Sequence, residues 1–358
     1  MKINSYNITD ISYHYIGLRV LAGTPSSARR EEQTNTISRS VLKYVSDRAL
    51  RLMLPEPKGT FETVGEKICQ ELVHLKFAQS IKGAYRLSDD GRYALNLLNE
   101  GKVVDLRRLM AIVHLKTYDN LRAVVQKYLD EKYIWMPIIE AKQLATEDYI
   151  QLLKPTFNGD ARTVAESILE KVQNKNPKKI EDALRESILH KVFPDLKISV
   201  PLFRSLCDRL VSLRLLNIKR VKGEFAKSYS PCTINFPSHD WYVTLHVPLA
   251  SDEIFKFYFC EPDMSKNSVQ DKLITALDKA FSELPSEAGY YDLPDIRDFV
   301  CEYLRIPEAA FDEGINYLLD RKPAILTAGL HYEGISGRRK PLSRNRGTTQ
   351  IYNLLRRI

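Results

Sequence analysis

The spacing of apolar residues changes several times along the chain, and each change predicts an element. Residues 1–35 alternate polar and apolar positions and close on Gly23-Thr24-Pro25-Ser26-Ser27-Ala28-Arg29-Arg30. That pattern predicts an N-terminal arm or a strand pair, followed by an exposed loop. From Ser38 the period becomes helical, with Val41, Leu42, Val45, Ala49, Leu50 and Leu52 on one face. Pro55-Glu56-Pro57-Lys58-Gly59 breaks this helix. Thr60 or Thr63 then caps a second one carrying Val64, Ile68, Leu72, Val73 and Leu75. Phe77 to Ile81, a Lys82-Gly83 turn and Ala84 to Leu87 predict a short hairpin. Ser88 caps a further helix through Tyr93, Ala94, Leu97 and Leu98, which Gly101 stops.

Residues 105–193 read as helices, built on Leu106, Met110 and Val113, then Leu121, Val125 and Leu129, then Tyr149, Leu152, Val164 and Ile168. The polar run Asn174-Lys175-Asn176-Pro177-Lys178-Lys179 marks a junction. Beyond it Ile180, Leu184, Ile188 and Val192 form one amphipathic helix. Pro201 opens the next, which carries Phe203, Leu206 and Leu210. Leu216 to Val221, a turn at Lys222-Gly223-Glu224 and a return from Phe225 to Tyr229 predict a second hairpin. Trp241 to Val247 is a strand without an assigned partner. The last segment predicts helices from Ser268, Pro294 and Ala309, a strand over Ala324–Ala328, a long loop over 334–347 and a closing strand from Gln350 to Leu355.

Helix, helix, hairpin, helix over residues 38–100 resembles a winged helix. Tyr85-Arg86-Leu87-Ser88-Asp89-Asp90-Gly91 is similar to the wing strand and following helix of many bacterial winged-helix regulators, whose pattern is apolar-x-Leu-Thr/Ser-x-x-Gly. Leu87 is buried by the strand, Ser88 caps the helix, and Gly91 lies in its first turn where the chain turns tightly. The resemblance implies a mainly α fold with small β-hairpin wings, in tandem winged-helix-like units. The expected division is an arm at 1–35, a first unit at 36–104, a helical region at 105–176, a second unit at 177–250 and a third at 251–358. No identity-level repeat links the three, so their kinship is one of pattern.

Charge sharpens this picture. Lys and Arg total 53 against 45 acids, a net charge of +8 and a pI near 9.0, which favours polyanionic partners. From Gly334 to Ile358 there are seven Arg or Lys and no acid. Arg338, Arg339, Lys340, Arg344 and Arg346 fall between two predicted strands, where a wing tip meets phosphate or the narrow minor groove. The second unit offers Arg204 on its helix, with Arg209 and Arg214, and Lys219, Arg220, Lys222 and Lys227 on its wing. Lys67, Lys76, Lys82, Arg86 and Arg92 of the first unit are dispersed. The third unit's helix from Glu308 to Asp320 is acidic, a poor guest in the major groove.

The chemistry expected of enzymes is thin. There is no P-loop, GxGxxG, HExxH or GxSxG spelling, the five cysteines lack metal-knuckle spacing, and the seven histidines are scattered. No cofactor or metal is therefore expected. Pro194-Asp195 with Glu224-Phe225-Ala226-Lys227 matches the loose PD…(D/E)xK spelling of metal-dependent nucleases. A capping Asp and a charged wing strand explain the same residues. Phe255, Phe257, Tyr258, Phe259, Tyr290 and Tyr291 are candidate base-stacking residues, more often core. The expected function is non-catalytic binding of DNA, preferably double-stranded, as part of a replication, defence or chromosome-organising complex. The alternatives are a protein-interaction scaffold and the nuclease. A cytoplasmic, prokaryotic protein with no membrane span completes the reading.

Overall fold

The computed structural model describes residues 8–25, 27–51, 61–130, 134, 136, 144–172, 176–222, 227–234, 243–248, 254–259, 266–286, 288–304, 306, 308–321, 325–329, 342–346, 348–352 and 354–357. The fold is mainly α with small antiparallel β-hairpins, a winged-helix-like architecture. Contacts divide the chain into two compact units, residues 1–9 with 113–234 and residues 10–112 with 235–358. Among the described residues no helix is long and apolar enough to cross a membrane.

Three helices open the second of these units: α1 (Ser12–Gly23), α2 (Arg30–Arg51) and α3 (Val64–His74). A hairpin of β1 (Ala78–Ile81) and β2 (Ala84–Leu87) follows, then α4 (Asp89–Asn99) and α5 (Val103–Thr117). The helix over 12–23 corrects the expected arm or strand pair. Its buried face is His14, Gly17, Leu18 and Leu21, a helical spacing hidden because a histidine and a glycine fill two apolar slots. For the same reason α2 begins at Arg30 rather than Ser38. Gln33, Thr34 and Ser38 share its buried face with Ile37 and Val41.

Gly65 explains how α2 and α3 approach so closely. A Cβ there would stand 1.9 Å from the Thr34 carbonyl oxygen. Its own N–H donates to Ser38 Oγ at 2.9 Å, so the polar residue on α2 serves the crossing. Gly91 is glycine for a like reason, and not for the tight turn expected of it. It is helical, and a Cβ would stand 1.9 Å from the Phe77 carbonyl oxygen. Ser88 caps α4 as expected, accepting from Gly91 N at 3.0 Å.

The unit of residues 113–234 holds α6 (Asp119–Asp130), α7 (Thr146–Phe157), α8 (Ala161–Lys171), α9 (Pro177–Val192) and α10 (Val200–Ser212). Asn176 and Ser199 cap the last two, each followed by a proline in the first turn. A second hairpin, β3 (Leu216–Lys222) and β4 (Lys227–Ile234), follows α10 directly.

The remaining chain begins with β5 (Val243–Pro248) and β6 (Ile254–Phe259), paired antiparallel. The strand left without a partner therefore has one. Then come α11 (Asn267–Glu283), β7 (Tyr291–Asp292), α12 (Leu293–Leu304), α13 (Glu308–Arg321), β8 (Leu326–Gly329), β9 (Leu342–Arg346), β10 (Thr348–Tyr352) and β11 (Leu354–Arg357). Leu273, Leu277, Ile296, Val300, Phe311, Ile315 and Leu355 pack as one core. β8, β11 and β7 make a three-stranded sheet with β11 central. The expected closing strand is two strands, and the expected loop holds β9, which pairs with β10. Arg and Asn conceal that strand, because they carry no apolar alternation.

Candidate nucleic-acid interface

α3 packs its inward face, Ile68, Cys69 and Leu72, without exposure. The opposite stripe is Lys67, Gln70 and His74, all exposed, at the i, i+3, i+7 spacing that lines up side chains on a helix. No carboxylate lies in that row. Glu66 flanks it and is engaged by Arg30, Tyr85 and Gln70. Its carboxylate takes the forked guanidinium of Arg30, with Nε to Oε2 at 3.2 Å and a second, shorter bond to Oε1. Oε1 also accepts from the Tyr85 hydroxyl at 2.9 Å and from Gln70 Nε2 at 2.8 Å. The Arg30 hydrogen bond holds the Glu66 carboxyl below its ordinary pKa, so it stays ionised. The Arg30 guanidinium also lies 4.8 Å from the centre of the Tyr85 ring.

The adjoining wing is exposed at Gln79, Ser80, Ile81 and Lys82. Lys82 and Gly83 both have positive φ, 47° and 77°, as a two-residue I′ hairpin turn requires. Its other strand is anchored by Gln33, whose carboxamide donates to Tyr85 O at 2.9 Å and accepts from Tyr85 N at 2.8 Å. Of the cations noted in the first unit, Lys67, Lys76 and Lys82 are exposed. Arg86 turns back on the Tyr85 carbonyl, and Arg92 pairs with Asp89 at 2.9 Å.

In the second hairpin unit Arg204 is exposed on α10, with Asp208 exposed one turn later. Arg209 is in the core. It is fully buried, and its guanidinium donates to His114 Nε2 at 2.8 Å. Lys219 and Arg220 lie on β3 opposite Ser230 and Tyr229, and Lys222 faces Lys227 across the strand pair. Arg344 and Arg346 lie on β9 opposite Gln350 and Thr348. Arg338, Arg339 and Lys340 lie outside the described residues, as does Glu224. Asp195 is in the turn after α9, and Lys227 begins β4.

α13 is acidic on its outer side, where Glu313 and Asp320 are exposed. Arg297 of α12 binds Asp312 at 2.8 Å. The aromatic candidates divide. Phe255, Phe257, Tyr258 and Phe259 are strand residues of β6. Tyr291 donates its hydroxyl to Phe281 O at 2.7 Å and packs on the Phe281 ring, while Arg356 lies over Tyr290 at 5.5 Å.

No family model, curated protein or solved structure matches this chain.

The chain does resemble itself. Cys69-Gln70-Glu71-Leu72-Val73-His74-Leu75-Lys76-Phe77 and Cys207-Asp208-Arg209-Leu210-Val211-Ser212-Leu213-Arg214-Leu215 share Cys, Leu, Val and Leu in register, then a cation and an apolar residue. Both segments end their helix alike. Lys76 and Arg214 have φ of 63° and 58°, and Phe77 and Leu215 donate back to Leu72 and Leu210 at 2.8 Å each. That is the Schellman closure, which turns the chain from helix into hairpin. The match is confined to this helix end, so the kinship of the units remains one of pattern, and it makes α10 the counterpart of α3. Aligned so, exposed Gln70 corresponds to exposed Asp208, and buried Glu71 to buried Arg209. Sequence reasoning also missed His14, whose Nε2 stands 3.6 Å from Glu71 Oε2 with both side chains buried. Its partner is on another helix, which no local spacing shows.

Proposed function

We propose that this protein binds duplex DNA without cleaving it, through its winged-helix-like units. The observation that carries the reading is the outward row of α3, Lys67, Gln70 and His74, beside a wing tipped by Lys82. A helix enters the major groove only if its outer side offers donors and cations to an anionic duplex. Glu66, which flanks this row, is paired with Arg30. The hairpins add basic positions for phosphate: Lys219, Arg220, Lys222 and Lys227 on one, Arg344 and Arg346 on the other, and Arg338, Arg339 and Lys340 in the chain before β9. Binding without cleavage is favoured because Asp195 lies in a turn, where the nuclease spelling calls for a strand.

A mobility shift with an unrelated duplex at two salt concentrations tests this. Binding at low salt should fall steeply as salt rises, since released counterions drive it. Absence of a shift at low salt overturns the reading. The exposed Glu313 and Asp320 of α13 favour a second role for the last unit, docking a basic protein in a larger complex. Co-purification that survives nuclease treatment separates that role from DNA bridging.

A further inference from the structure

We propose that Gln70 reads adenine in the major groove, and that Glu66 is the positioning residue that aims it. The inference rests on the DNA-binding reading above. An adenine edge presents an acceptor, N7, beside a donor, the N6 amino group, and a carboxamide matches both at once. Gln70 supplies such a carboxamide from the middle of the exposed row, with a cation or imidazole on either side at Lys67 and His74.

An exposed glutamine ordinarily wanders among rotamers, and fixing one costs binding. Gln70 is already restrained. One of its two Nε2 hydrogens goes to Glu66 Oε1 at 2.8 Å. That leaves the second hydrogen for N7 and Oε1 for the N6 amino group. Glu66 is held in turn by the fork of Arg30 from α2 and the hydroxyl of Tyr85 from β2. Those two elements frame α3, so the amide is referenced to the body of the unit and not to its own helix alone. The internal repeat supplies a contrast. α10 carries Arg204 where α3 has Glu66 and Asp208 where α3 has Gln70. A carboxylate has no donor for N7, so the second unit lacks this reader, and the assignment is specific to the first.

The test uses the full chain and a pool of duplexes with a randomised core. Bound duplexes are sequenced, and the selected one is compared with a shuffled duplex by fluorescence anisotropy. An adenine should be enriched at a fixed position. Replacing it with 7-deazaadenine, which lacks only the N7 acceptor, should weaken binding roughly five- to a hundredfold. In Gln70→Ala the preference should collapse to that of the shuffled duplex. Gln70→Glu should move the preference to cytosine, whose N4 group only donates. Glu66→Gln, confirmed folded by its melting curve, should narrow the ratio between selected and shuffled duplexes. A purely structural Glu66 would alter the melting curve and leave that ratio alone. Binding without any sequence preference overturns the inference while DNA binding stands. So does an adenine preference that survives Gln70→Ala or 7-deazaadenine. No shift with any duplex overturns the function and this inference together.

Discussion

Gln33 is fully buried, and its carboxamide meets the N–H and C=O of Tyr85 just as a neighbouring strand would. Gln33→Leu keeps the volume and strands both backbone groups. Urea unfolding should show a loss of about 2–3 kcal/mol. Gly65→Ala should be more severe, since its new carbon would meet a backbone oxygen that cannot swing aside. A loss above roughly 3 kcal/mol in the same measurement is expected. Acid and alkali act on neighbouring groups with opposite sign. Glu66 has a folded pKa below its ordinary 4.5, so its contribution is complete above that value and is lost as pH falls further. Burial pushes the Cys69 thiol from 9.0 up to about 12, and burial with the Glu66 hydrogen bond raises the Tyr85 phenol. The unfolded chain ionises these groups first, so stability is complete below pH 9 and falls as pH rises towards 12. Melting temperatures across pH should therefore decline at both ends.

At the scale of elements, the helix ends of α3 and α10 allow a direct check. Lys76 and Arg214 sit in the left-handed region that strains any side chain with a Cβ. Glycine at either position should raise stability by about 0.5–1 kcal/mol, read from urea midpoints. Much of this architecture was legible in the chain. Lys82-Gly83, Ser88 and Pro201 declared a turn, a cap and a helix start, because each acts through local geometry. Part of what stayed hidden has one physical cause, polar residues doing apolar work. His14, Gln33, Thr34 and Ser38 fill buried helical positions, so α1 and the start of α2 showed no period. The functional row was legible at one of its three positions. Only Lys67 stands out as a cation, and Gln70 and His74 join it once α3 has a buried side. Arg209 was noted as well, and folding takes it into the core against His114. The Cys-x-x-Leu-Val-x-Leu repeat was present all along. It escapes a search for whole-unit identity, since only the helix end is shared.

For the whole molecule, +8 distributed over 358 residues is modest, and its placement matters more than its size. Replacing Arg338, Arg339 and Lys340 with Ala should weaken binding to unrelated duplexes alike. The slope of log affinity against log salt should flatten by roughly one for each phosphate contact removed. Loss of preference without loss of affinity would place those residues at base edges instead. The close approaches at Gly65 and Gly91 reach beyond stability. At both positions a backbone oxygen occupies the space of a Cβ. A side chain at either site would force the neighbouring backbone away, whereas a surface cation can be exchanged without moving any backbone. Two glycines bracketing the α3 row and its hairpin thus set the spacing at which helix and wing are presented together.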